Sequence, residues 1–161
     1  MIGLILTLFL VLVPHQAPAA QVSEAQKKEF LTLLKTLPHK GEFYTDDAIK
    51  AAAPYLPVLF ALTADDIEGY DFYSFGALSR GLCDIKKRRQ YAIVHFNDIQ
   101  SPELKLFWAV LLFNEKKPAS QIVRFLKEAL ESEAQAKLLG EIVGPNFEEF
   151  KTRLNARKAN D

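Results

Sequence analysis

Charge is missing from residues 1–20 of this 161-residue chain, although the whole sequence carries 20 basic and 20 acidic side chains. Sulfur is nearly as scarce, with one Cys (Cys83) and one Met, at position 1. A single cysteine excludes an intramolecular disulfide framework, and with His39 and His95 far apart and no HExxH spacing no zinc pattern is present. Among only 7 glycines there is no P-loop, GxGxxG or GxSxG, so nucleotide chemistry has no signal, since Gly69, Gly76 and Gly81 are not spaced to cradle phosphate. Acids at 65, 66, 68 and 71 fail the spacing of a calcium loop and read instead as helix-start charges. No net charge remains at pH 7, which argues against a bulk binder of nucleic acid. These absences predict neither cofactor nor metal. Beyond the N-terminus the longest apolar run is 104–113, interrupted by Lys105 and too short to span a bilayer.

What is present is 49% hydrophobic and 25% charged residues, the composition of one globular domain able to bury its own core. Residues 2–13 form a leucine-rich apolar run closed by Pro14 and followed by Ala17-Pro18-Ala19, a small-x-small pattern that signal peptidase accepts. We therefore expect a secretory signal over 1–19 and a mature domain over 20–161, secreted or periplasmic. No Lys or Arg precedes the run, and an uncleaved N-terminal helix acting as an anchor is the alternative.

Helical periodicity recurs through the remainder, with a start signal for each segment. Ser23 with Gln26 forms a capping box before Phe30, Leu33, Leu34 and Leu37, and Pro38 ends that helix. A short connection over 39–44 follows. Thr45 with Asp46 and Asp47 opens a second helix, which Pro54 and Pro57 must bend. Thr63 with Asp65 and Asp66 starts a short turn, and Asp71 starts a helix to Cys83 with Phe72, Phe75, Leu78 or Ser79, and Leu82 facing inward. Asp84 is the expected cap of a helix over 86–99 whose inward stripe is the Arg89 stem, Ala92, Phe96 and Ile99. Ser101-Pro102-Glu103 begins a helix to Asn114 that is apolar nearly all round and belongs at the buried centre. A helix with Ile122, Val123, Leu126, Ala129 and Leu130, a second capping box at Ser132 and Gln135, a stop at Gly144-Pro145, and a last helix capped by Asn146 and Glu149 complete the chain. The fold class is all-α: a single domain of about seven or eight short helices packed as successive antiparallel hairpins, α-solenoid-like or a compact orthogonal bundle.

An internal echo recurs at about 30 residues. Ser101-Pro102-Glu103-Leu104-Lys105, followed by Ala109 and Leu112, parallels Pro118-Ala119-Ser120 leading into Val123-Arg124 and Ala129-Leu130. Over residues 63–131 the chain resembles HEAT-type α-helical repeats, in which a polar turn with Pro precedes an aliphatic residue, a basic residue, then small and Leu positions. The second copy places Ala129-Leu130 one position early, and the 63–83 copy lacks the basic residue. The resemblance implies a protein-binding scaffold without catalysis.

Two surface features stand out. Lys86-Lys87-Arg88-Arg89 stacks four cations where a helix dipole disfavours them, either to attract an anionic ligand, a lipid headgroup surface or an acidic partner, or to pair with the acids of 65–71. In Tyr70-Asp71-Phe72-Tyr73-Ser74-Phe75, Tyr73 shares a helix face with Ala77 and Arg80, and Tyr and Arg are the residues that anchor interfaces. The candidate binding residues are therefore Tyr70, Tyr73, Arg80, Lys86, Lys87, Arg88 and Arg89. The main reading is a non-catalytic scaffold whose partner is another protein. A small extracytoplasmic enzyme using His95 with Cys83 or Asp98 is the alternative, and an anionic-surface binder through residues 86–89 is a third.

Overall fold

A computed structural model describes residues 22–40 and 43–157, with the side chains of Lys40 and Phe72 outside the description. The signal segment over 1–19 and the inward placement of Phe72 both lie outside the described residues. The described chain is all-α in one domain. Its helices are α1 (Glu24–Thr36), α2 (Asp46–Ala52), α3 (Leu56–Ala61), α4 (Ala64–Ile67), α5 (Phe72–Cys83), α6 (Lys86–Val94), α7 (Pro102–Phe113), α8 (Ser120–Glu131), α9 (Glu133–Val143) and α10 (Phe147–Ala156). Seven of these are nine residues or longer, in line with the seven or eight expected; α2, α3 and α4 are shorter.

Five of the ten helices start where a side chain bonds the orphan amides of the first turn. Ser23 and Gln26 close a capping box on α1, and Thr63 and Asp66 close another on α4. Thr45, Asp71 and Ser101 accept from amides of α2, α5 and α7, with Pro102 pre-shaped for the first turn of the last. Pro54 and Pro57 divide α2 from α3 through a 3-10 turn at Ala53–Tyr55.

Four expectations fail for local reasons. Asp84 continues the last turn of α5 in helical conformation (φ −62°, ψ −20°), so it lacks the extended geometry of a cap, and Ile85 takes that place with no side-chain bond. The helix expected to reach Ile99 ends at Val94, where a 3-10 turn over Phe96–Asp98 is closed by a 2.8 Å contact between His95 Nδ1 and Asp98. Ser132 and Asn146 make no capping bond, Asn146 because a 3-10 turn at Gly144–Asn146 runs directly into α10. The connection over 39–44 holds a two-stranded antiparallel pair, β1 (His39–Lys40) and β2 (Phe43–Tyr44), with His39 opposite Tyr44. Gly144 ends α9 at φ 68°, a backbone that glycine adopts without strain.

One continuous core runs from Phe30 to Leu154. At its centre lies α7, packed against α5, α6, α8 and α9, with Leu104, Leu106, Trp108, Ala109, Leu112 and Phe113 buried. This matches the apolar-all-round pattern of its sequence. α1 packs on α2 and α3, α2 on α5, and α10 on α8 and α9. Phe60 joins α3 to the centre: its ring meets Trp108 edge-on at 5.2 Å, and its carbonyl accepts from Gln100 N at 2.9 Å. Two glycines set close approaches along α5. A Cβ at Gly76 would lie 2.7 Å from Cε2 of Phe107 on α7, and one at Gly81 would overlap Ile49 of α2. Among the described residues no helix is long and apolar enough to cross a membrane.

Candidate functional site

Asp71 accepts from Tyr73 N at 3.1 Å and from Ser74 Oγ at 3.2 Å, which fixes the first turn of α5. Counting at helical spacing from there, Tyr73, Ala77 and Arg80 share one face, and Tyr73 is left 82% exposed. Because Gly76 carries no side chain, Phe107 of α7 settles against α5. α9, on the far side of α7, supplies Leu138, Glu141 and Ile142. Together with His39 and Phe43 of the strand pair and Glu103 from the first turn of α7, these surround a groove of about 860 Å³, within the usual size range of binding sites.

The groove combines an apolar floor with a charged rim. Ala77, Phe107, Leu138 and Ile142 supply the floor, and Phe43, 54% exposed, stands at the edge with Tyr73. Three carboxylates, of Asp71, Glu103 and Glu141, face one guanidinium, that of Arg80. Asp71 is engaged in capping and Glu103 accepts from Ser101 Oγ at 2.7 Å. Arg80 and Glu141 make no ion pair among the described residues. The groove can therefore hold an elongated group with an apolar body and a basic end.

The residues singled out in the sequence separate in space. Tyr73 and Arg80 line the groove, whereas Tyr70 is half-buried, 6.0 Å from Phe75 between ring centroids and with Lys35 Nζ 4.9 Å from its own ring. None of the basic run reaches the groove. Lys86 and Lys87 are exposed, and Arg88 is half-buried with Nη1 unbonded. Arg89 acts as a staple, donating Nε to the Cys83 carbonyl at 2.9 Å, Nη2 to that of Asp84 at 3.3 Å and Nη1 to Glu115 at 2.5 Å. The expected pairing of this run with the acids of 65–71 is thus not observed. Those acids serve locally: Lys27 bonds Asp66 at 2.9 Å. Burial alone would raise the Asp66 carboxyl, but bonds from Thr63 and Lys27 hold it below its ordinary value, and the Asp66 bond holds Lys27 above its own.

His39, Phe43, Glu103, Phe107 and the three α9 residues escaped sequence reading. The available signal was Gly76 inside a helix three residues after an exposed Tyr, which marks a close approach. The residues of the catalytic alternative lie elsewhere. Cys83 is buried, and burial pushes its thiol up to about 11, the opposite of an activated nucleophile. His95 stacks on Tyr91 at 4.2 Å and bonds Asp98, and among the described residues no hydrogen bond joins it to Cys83. No group of three or more His, Cys, Asp or Glu among the described residues could hold a metal ion. No family model matches the chain, and neither the curated proteins nor the solved structures contain a match.

Proposed function

We propose that this chain is a non-catalytic binding module that holds a segment of a partner protein in the groove between α5, α7 and α9, and that residues 1–19 direct it to a secreted or periplasmic location. The groove carries the reading: an apolar floor with two exposed aromatics and a surplus of carboxylates at its rim suits a segment with apolar side chains and a Lys or Arg. The packing of successive helices on one another, α5 on α6, α7 on α8 and α8 on α9, is compatible with the helical-hairpin scaffold that the HEAT resemblance implies. The compartment rests on the uncharged run and its Ala-x-Ala ending.

Selection of random peptides displayed on phage against the immobilised mature domain tests this reading. The expected winners pair Lys or Arg with apolar residues. They bind at least tenfold more weakly to Tyr73→Ala, which removes an exposed anchor, and to Glu141→Lys, which reverses a rim charge. Both positions are exposed, so the fold is preserved. Retention of no peptide, or equal binding to both variants, defeats the proposal.

A further inference from the structure

A second surface, away from the groove, gathers the basic run with cations distant in sequence. Glu115, bonded by Arg89, places the start of α6 beside the α7–α8 connection. Arg153 of α10 and Arg157 just beyond its end reach the same connection, bonding Asn114 Oδ1 at 3.5 Å and the Lys116 carbonyl at 3.4 Å. Lys86, Lys87, Lys116, Lys117, Arg153 and Arg157 are all exposed and make no ion pair among the described residues. In 84–89, 114–117 and 153–157 the acids are Asp84 and Glu115, and Arg89 already occupies Glu115. An otherwise neutral chain therefore concentrates positive charge where these three segments meet.

Ile85 stands next to these lysines, 43% exposed, at the cap of α6. Both features oppose helix stability, since Ser or Asp is preferred at a cap and cations are disfavoured in a first turn. A sequence that breaks two local rules at one surface position is where a functional demand is expected.

We propose that this surface docks on an anionic lipid bilayer, with the lysines of α6 and of the α7–α8 connection against phosphate headgroups and Ile85 inserted among the acyl chains. The chemistry favours a bilayer over an acidic protein. Four mobile, strongly hydrated ammonium groups on long aliphatic stems suit a diffuse layer of charge, and an apolar side chain among them gains from hydrocarbon. None of these residues lines the groove.

Co-sedimentation of the mature domain with vesicles tests the proposal, comparing equal parts phosphatidylcholine and phosphatidylglycerol with phosphatidylcholine alone. Binding is expected to the anionic vesicles only and to vanish at high salt. Neutralising Lys86, Lys87, Lys116 and Lys117 to Gln together should weaken it about fivefold per lysine, several hundredfold in all. Ile85→Ser should weaken vesicle binding at each salt concentration at which the wild type binds, while raising the melting temperature, a combination that loss of structure cannot produce. Ala77→Trp, which fills the groove, should bind vesicles like the wild type and so keeps this surface distinct from the peptide site. Binding to neutral vesicles, indifference to the lysine changes or to Ile85→Ser, or loss in Ala77→Trp overturns the proposal. Displacement by inorganic phosphate at matched ionic strength, which indicates a small-anion site, or capture by poly-glutamate without vesicle binding, which indicates an acidic protein, overturns it as well.

Discussion

Cys83 shows how burial decides the character of a side chain. Its thiol lies in the core and is pushed from its ordinary value of 9.0 up to about 11, so at pH 8 the thiolate fraction falls about a hundredfold. Alkylation by iodoacetamide, followed by mass spectrometry, should therefore be at least that much slower in the folded protein than in urea. Equal rates would mean that the thiol is accessible. The Lys27–Asp66 pair makes a prediction with pH. Asp66 is held below its ordinary 3.8, so its contribution to stability is present above that pH and lost as pH falls through the folded value. Lys27 is raised above 10.5, so its contribution is present below that pH and lost as pH rises through the folded value. Urea melts across pH should show wild type and Lys27→Met converging at both extremes and differing most between them.

Along α5 two glycines do opposite work to a third in α9. Alanine is the better helix former by about 1 kcal/mol, and at Gly140 an added Cβ meets only Phe147 at an ordinary 3.5 Å. Gly140→Ala should stabilise by a few tenths to about 1 kcal/mol in chemical denaturation. Gly76→Ala and Gly81→Ala should each destabilise by about 1–3 kcal/mol, because Phe107 and Ile49 occupy the space. Phe107→Leu combined with Gly76→Ala should recover part of the loss. Such near contacts explain which elements were legible in sequence. Ser23, Thr45, Thr63, Asp71 and Ser101 announced their helices because a cap is a bond within three residues, and α7 announced its central place by lacking a polar face. Asp84 and Asn146 misled because the preceding turn fixed their backbones in conformations from which a cap bond does not form, whereas Ser132 has the extended backbone of a cap and still makes no such bond. Half of the groove was hidden for a related reason: Tyr73, Ala77 and Arg80 share one helix, whereas Glu103, Leu138 and Glu141 join them only through packing that no local pattern encodes.

At the scale of the whole molecule, Trp108 is the single tryptophan, fully buried on α7. Since the core is continuous around that helix, unfolding followed by Trp108 fluorescence and by far-ultraviolet circular dichroism should trace one coincident transition. Separate midpoints would divide the core in two. Intact-mass measurement of protein recovered from outside the cell should show a chain beginning near residue 20, and full-length mass there would contradict cleavage after Ala19. The position of α7 also bears on how the chain comes to be folded at all. Synthesis delivers α1 to α6 before the helix that supports α5, α6, α8 and α9 begins. Until then α5 packs only on α2, β2 and α6, and the faces that α7 covers stay open. The nascent protein is thus aggregation-prone while α5 and α6 wait for α7, and shielding by a chaperone matters most before residue 113 has emerged.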